Sequence, residues 1–549
     1  MYPEMVDYAQ TCREFHWEVP EHYNFAFDVV DRWGEDAQKV AMLWVNERGD
    51  ERRLSFRDFS MRSNQVGNAL RTMGIRQGDR ILIMAPRLPE WWEVMLGIMK
   101  IGAVSMPGTT LLTPKDVAYR IQSGEAVAVI TDEEGAAKVD QVADACPTLR
   151  LRLLLGAERE GWVNYTRVVG SAMSTLKREP TRGDEPMMLY FTSGTVGYPK
   201  MVLHTHVSYP IGHIVTGKYW LDLKPTDLHW NLSDTGWAKA AYSNLFGPWI
   251  MGAAMFIFDG RGRFDAQQTL EMLEHYPIST FCAPPTAYRL LVLENLSHYR
   301  LSTLRHCVGA GEPLNPEVIE TWQRGTGQII RDGYGQTETV ILVANFPPMP
   351  VKPGSMGKPS PGFIVEVVDD NGREVSPGTE GDIAVKLTPR RPVGLFKEYW
   401  HNTEATSNCI RGEWYITGDR AIRDEEGYFW FVGRADDVII SAGYRIGPFE
   451  VESALVEHPA VAEAAVVASP DQIRGDIVKA FVILAPGHQP SELLKQDLQE
   501  HVKRVTAPYK YPREIEFATE LPKTISGKIR RVELRQREAD RKADSRPVA

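Results

Sequence analysis

From about residue 54 to residue 290, short apolar runs alternate with amphipathic stretches of helical period, and no other feature constrains the fold as strongly. Arg80–Met84 and residues 126–130 read as strands, each followed by Gly, Pro or Asp punctuation. The rhythm returns at 278–283, where Pro284-Pro285 opens a helix, and at 304–308, where a loop precedes a helix led by Asn315. Strands alternating with helices imply mostly parallel sheets covered by helices. Ligands on such sheets sit in the loops at the carboxyl ends of the strands.

With 549 residues the chain exceeds one core, so more than one domain is expected. From about 354 to 432 the strands become short and alternating (363–368, 381–387, 428–432), with turns at Asn371-Gly372 and Glu426-Gly427. This predicts a small antiparallel barrel or sheet. After Gly433-Arg434-Ala435-Asp436-Asp437 a new unit begins, with helices near 448–457 and 491–505 and strands at 462–468 and 478–484. The expected organisation is α/β. An N-terminal domain, 1–434, holds two helix-flanked, mostly parallel sheets and the barrel subregion at about 354–434. A small α+β domain, 435–549, follows it.

Composition narrows the function classes. A net charge of −10 argues against nucleic-acid binding, which needs an electropositive surface. The five cysteines are odd in number and scattered, without a CxxC pair, which predicts reduced thiols rather than a disulfide frame or zinc site. The N-terminal stretch lacks an apolar segment and is acidic where a mitochondrial presequence is basic, which points to a soluble cytoplasmic protein. The longest uncharged run, 240–258, contains Ser243, Asn244, Gly247, Pro248 and Gly252. It reads as a buried strand-and-turn region, so no integral membrane association is expected.

A strand at 187–191 leads directly into Thr192-Ser193-Gly194-Thr195-Val196-Gly197-Tyr198-Pro199-Lys200. The two glycines let backbone N–H groups turn toward an anion, three hydroxyls add donors, and Lys200 adds a cation. A P-loop has Gly before its lysine and Ser or Thr after it to hold magnesium. Pro199 and Met201 stand there instead, so this loop can hold phosphates while the metal ligand comes from elsewhere. Four further stretches accompany it: Gly309-Ala310-Gly311-Glu312-Pro313, Asp332-Gly333-Tyr334-Gly335-Gln336-Thr337-Glu338, Tyr415-Ile416-Thr417-Gly418-Asp419, and Pro522-Lys523-Thr524-Ile525-Ser526-Gly527-Lys528.

In this order the five motifs resemble the adenylate-forming superfamily of acyl-CoA synthetases, luciferases and adenylation domains, over nearly the whole chain. WEVPEHYNFAFDVVDRW, SDTGWAKAAYSNLFGPW, CAPPTAYRLLV and GAGEPLNPEVI are most similar to the medium-chain acyl-CoA synthetases. The resemblance implies that the loop from Thr192 to Lys200 folds over the β- and γ-phosphates of ATP. Gly311, Glu312 and Pro313 would wall the adenine slot, Tyr334 would stack on the ring, and Asp332, Gly333, Gly335 and Gln336 would surround it. Thr337 would meet the α-phosphate, Glu338 would bind Mg²⁺, and Asp419 and Arg434 would hold the ribose hydroxyls.

Lys528 is the expected adenylation lysine, offsetting the charge that develops when a carboxylate attacks the α-phosphorus. A mobile C-terminal domain would then turn about Asp436 and bring Ala442, Gly443, Tyr444 and Arg445 to a pantetheine tunnel, with Arg474 also contacting CoA. From residue 501 to 535 there are nine Lys/Arg against four Asp/Glu, locally suited to the phosphates of CoA. Trp237 would wall the acyl pocket. His204 and His206 read as packing or hydrogen-bonding residues. The implied substrates are ATP, CoA and a small carboxylic acid, a medium-chain fatty acid by the resemblance. The alternatives are short-chain, branched or aromatic acids, or delivery to a carrier protein. A homodimer is left open.

Overall fold

The computed structural model describes residues 3–192, 199–262, 264–441, 444–471, 474–524 and 528–544. One sheet has eight strands in the order Glu398–Tyr399, Lys200–Thr205, Pro186–Thr192, Val104–Pro107, Arg80–Met84, Ala126–Thr131, Leu151–Leu154 and Val163–Asn164. A second has nine, and its central strands Ala254–Asp259, Leu228–Asn231, Thr280–Ala283, His306–Ala310 and Ile330–Gly335 run parallel. Helices such as Pro89–Lys100 lie between, and almost the whole of that helix is buried. It packs against the helix Phe56–Thr72 and the strand Val104–Pro107, and its enclosed charges are paired, Glu93 accepting from Tyr165 and Lys100 donating to Asp31.

The segment from 354 onward does fold as a small antiparallel sheet: Val365–Val368, Glu380–Lys386 and Trp414–Arg423, with Phe429–Arg434 and Ile410–Arg411 on the last. Two short pieces leave it. Lys358–Pro359 joins the nine-stranded sheet, and Glu398–Tyr399 pairs with Lys200–Thr205 in the eight-stranded one. The residues past 435 form an α+β unit around Val461–Asp471 and Gly475–Leu484, packed by the helices Pro448–Val456, Glu492–Val505 and Arg531–Asp544.

The uncharged run at 240–258 differs from expectation. It is buried, but its first half is short helical turns, Ala238–Ala241, Tyr242–Phe246 and Gly247–Ile250, before the strand Ala254–Asp259. Inside a core the pattern of apolar residues carries no period, so length and composition cannot separate strand from helix. Among the described residues no helix is long and apolar enough to cross a membrane. All five cysteines are free, three of them buried.

Candidate active site

The register of the nine-stranded sheet places two predicted loops side by side. Gly309 and Ala310 pair with Asp332 and Gly333, so the 311–313 and 334–338 segments leave adjacent parallel strands at their carboxyl ends. Gly311 has φ +105°, and a Cβ there would lie 2.6 Å from the Lys239 Nζ, so the turn requires glycine. Glu312 and Pro313 are half-buried, and Arg289 donates to the Glu312 carboxylate at 2.9 Å.

Asp419 and Arg434 face each other across an antiparallel pair in the small sheet. The Tyr334 hydroxyl and the Gln336 side-chain amide both donate to Asp419 Oδ2 at 2.7 Å, and Arg434 Nε stands 3.8 Å from Oδ1. Gln336 also donates to the Thr417 carbonyl, and its own carbonyl accepts from Tyr415 at 3.0 Å. Burial pushes the Asp419 carboxyl above its ordinary range, and Arg434 opposes the shift. Burial likewise pushes Asp332, which accepts from the Gly333 N–H, up to about 8.

The backbone of Thr337 is pinned by a ring lying in the other sheet: His204 Nε2 donates to its carbonyl at 2.7 Å. Burial lowers His204 to about 4, so the ring is neutral, as a packing and hydrogen-bonding residue should be. His206 is fully buried and is lowered to about 3 by the same cause. Glu338 accepts a 2.8 Å hydrogen bond from Tyr399, and the Lys200 Nζ lies 4.8 Å above the Tyr399 ring. Burial raises the Glu338 carboxyl, and the Tyr399 hydrogen bond and Lys200 oppose it. Thr192 and Lys200 pair across the base of the phosphate-loop candidate, and Tyr119 donates to the Pro199 carbonyl. Residues 193–198 (Ser193, Gly194, Thr195, Val196, Gly197 and Tyr198) lie outside the described residues, as do Ala442 and Gly443.

All these walls open onto one cleft of about 2290 Å³, and Lys528 lines it as well. Its backbone closes on Thr524: the Thr524 N–H donates to the Lys528 carbonyl at 2.7 Å, and the Lys528 N–H to the Thr524 hydroxyl at 3.1 Å. Trp237 and Asp436 also border the cleft, half-buried and exposed respectively. Tyr444, Arg445 and Arg474 are exposed and do not line it. Tyr444 stacks on Tyr509 at 4.4 Å, Arg445 stands 4.0 Å from Glu380, and the Arg474 N–H donates to Asp471. The nucleotide candidates are thus gathered and the CoA candidates lie apart from them.

Sequence reasoning gave no role to Lys239, Arg289, Tyr399 or Tyr415. Lys239 donates to the Ala310 carbonyl, beside the Gly311–Pro313 segment. Burial pushes its ammonium down to about 8, and the nearby Lys528 adds to that shift. One signal was present: Lys239 is a lone charge at the edge of an apolar run. Nothing local marks Tyr399, and Tyr415, quoted within its motif, was given no role of its own; their partners are 61 and 79 residues away.

A cleft at the strand ends of a helix-flanked body, lined also by a lysine from a small α+β unit, has the layout of an adenylate-forming enzyme. The chain belongs to the AMP-binding enzyme family: that family's model matches residues 30–400, and the AMP-binding enzyme C-terminal domain matches residues 450–528. It is 49% identical over 542 residues to the mitochondrial acyl-coenzyme A synthetase ACSM3 of Mus musculus, covering 97% of this chain and 93% of that protein. It is 48% identical over 531 residues to the mitochondrial acyl-coenzyme A synthetase ACSM4 of Homo sapiens, covering 95% and 91%. Among solved structures, the anthranilate CoA ligase AuaEII in complex with anthranoyl-AMP superposes with TM-score 0.88 at 34% identity, over 96% of this chain and 99% of that one. A benzoate CoA ligase from Burkholderia xenovorans LB400 gives 0.82 at 28% identity, over 93% and 100%.

These relatives correct one expectation. The curated proteins are mitochondrial by name, which points away from the cytoplasmic address. Reduced cysteines and an acidic first stretch do not distinguish the cytoplasm from a mitochondrial interior, so the sequence argument lacked the power to choose.

Proposed function

We infer that the chain is an ATP-dependent acyl-CoA synthetase, an acid–thiol ligase. It joins a carboxylic acid to CoA through an acyl-adenylate and releases AMP and pyrophosphate. The observation that carries the reading is Lys528 lining the same cleft as Tyr334, Gln336, Glu338 and Asp419. The relatives named acyl-coenzyme A synthetases, matched over nearly the full chain, support it.

In the proposed adenylation step Asp419 and Arg434 take the ribose hydroxyls, and Tyr334, tethered through its own hydroxyl, offers its ring to adenine. Thr192, Lys200 and Thr337 hold the phosphates. Lys528 stands between the attacking carboxylate and the α-phosphate, two anions that otherwise repel. Donors aimed at charge that develops only in the transition state raise the rate rather than the affinity.

Magnesium fits this donor set. Glu338 presents a hard carboxylate oxygen beside Lys200, and among the described residues no cluster of three or more His, Cys, Asp or Glu forms a cage. An ion shared between one carboxylate and the nucleotide's phosphates is the usual arrangement for Mg²⁺. When bound it would neutralise phosphate charge.

For the second step the proposal is that the units 1–434 and 435–549 turn about Asp436, withdrawing Lys528 and bringing Ala442, Gly443, Tyr444, Arg445 and Arg474 toward CoA. The exposure of Tyr444, Arg445 and Arg474 away from the cleft agrees with the first orientation. Trp237 is proposed as a wall of a pocket for medium-chain fatty acids, which would place the enzyme in lipid metabolism. Mass in solution decides the homodimer.

Purified protein given ATP, Mg²⁺, CoA and short, medium, long, branched and aromatic acids should release AMP, with the highest kcat/KM on a medium-chain acid. Silence across the panel would defeat the activity; a preferred aromatic or short acid would move the substrate class. Transfer to a holo carrier protein in place of free CoA would favour the alternative acceptor.

A further inference from the structure

Asn315 holds the N-cap position of the helix Pro316–Thr326, yet its side chain makes no capping hydrogen bond. Asparagine at this position ordinarily satisfies an orphan backbone donor. Here the side chain is turned elsewhere. Its carbonyl accepts from Arg289 Nη1 at 3.3 Å, and its amide donates to the Ser453 hydroxyl at 3.1 Å, across 138 residues of sequence. Arg289 uses its other nitrogen on Glu312, in the adenine wall. A hydrogen-bonded line therefore runs from Glu312 through Arg289 and Asn315 to the helix Pro448–Val456 of the C-terminal unit.

The line continues beyond Ser453. The neighbouring Glu452 is 6% exposed, and it accepts from Arg531 at 2.6 and 2.8 Å and from the Val466 N–H at 2.8 Å. Arg531 opens the helix Arg531–Asp544 and follows Lys528 by three residues. One turn later Arg535 is ion-paired with Asp437, next to the hinge candidate Asp436, and Arg531 stands 4.0 Å from that carboxylate. The base of the lysine segment is closed by the Arg530 N–H on the Pro522 carbonyl at 2.8 Å. A shift of Ser453 relative to Asn315 is thus transmitted to Lys528 through buried, multiply bonded charges, which resist independent movement.

We propose that Asn315 and Ser453 form a clasp between the adenine wall and the C-terminal unit, and that these two residues, with Glu452 behind them, are positioning residues that set Lys528 for adenylation. The proposal rests on the acyl-CoA synthetase reading and adds the device that registers the two units. The same contact breaks when the C-terminal unit turns for the second step, while the adenylate still fills the adenine slot.

The test uses the full-length protein and the two half-reactions. Asn315→Ala and Ser453→Ala should each lower kcat for acid-dependent ATP–pyrophosphate exchange about 5-fold, the worth of one neutral hydrogen bond. KM for ATP should stay within about 2-fold. The double variant should be no slower than Asn315→Ala alone, because that change already removes the bond to Ser453. Ser453→Thr keeps the hydroxyl and should exchange at the wild-type rate, and conversion of supplied acyl-AMP to acyl-CoA should be unchanged in all four variants. Equal loss of both half-reactions, additive single effects, or no effect would overturn the clasp. Hydrogen exchange reads the contact without turnover. A non-hydrolysable ATP analogue should protect residues 448–456 in the wild type and not in Asn315→Ala. If wild-type protein exchanges pyrophosphate with no acid, the activity reading falls by itself. The protection difference still decides the clasp, and equal protection refutes it.

Discussion

The two walls of the cleft are built on different physics. The front wall hangs from strand ends. Asp332 and Gly333 are placed by parallel pairing with Gly309 and Ala310, Tyr334 by antiparallel pairing with Val343, and Asp419 by antiparallel pairing with Arg434. Its polar groups are partly or fully enclosed and bonded to one another, and its carboxyls are pushed upward by that enclosure. The rear wall is carried on a helix and the segment before it, tied into its own unit by ion pairs between Arg531 and Glu452 and between Arg535 and Asp437, and it meets the front wall through side chains such as Ser453 on Asn315. Lys528 itself is exposed. A wall fixed by backbone register is preorganised and cannot swing. A wall fixed by a few side chains can be released as a unit, which a two-step reaction with two different nucleophiles requires.

The largest expected effect strikes the rear wall. Lys528→Ala should lower AMP release by about 10²–10³-fold. Conversion of supplied acyl-AMP should survive, because in the proposed mechanism the lysine acts before the adenylate exists. Parallel loss of both steps would erase the distinction between the walls.

Next comes the front wall. Asp419→Asn removes a charged acceptor of two 2.7 Å hydrogen bonds, and KM for ATP should rise about 10-fold or more. A kcat change without a KM change would mean that this residue acts on chemistry rather than on holding the nucleotide.

The smallest effect is thermodynamic. Asp332 titrates at about 8 when folded, against 3.8 as its ordinary value. The folded state therefore binds the proton more tightly, and stability falls as pH rises between those values. Melting temperature of the ligand-free protein should decline across that window. Asp332→Asn should flatten the slope by ~1 °C per pH unit. An unchanged slope would show that the front wall is less enclosed than its geometry implies.

Much of this was legible in the sequence because it is local. The strand Arg80–Met84 coincides with its predicted bounds, and the helix Pro316–Thr326 begins after Asn315 as expected. The phosphate-loop candidate leaves the end of Pro186–Thr192, next to the 187–191 run that announced it. What escaped was long-range. Glu338 was foreseen, but not Tyr399, which reaches it because Glu398–Tyr399 departs from the small sheet and adds an edge strand to the eight-stranded one. Asn315 was foreseen as a helix leader and turned out to spend its side chain on another unit.

By itself the sequence determined the alternation of strands and helices, the glycine-bearing loops and the ordered motifs, since each depends on residues within a few positions of one another. The tertiary structure alone decided which loops share a wall, how far each carboxyl is pushed from its ordinary range, and which side chains bridge the two units. Those outcomes depend on desolvation and on contacts between residues tens to hundreds of positions apart, and no local pattern encodes them.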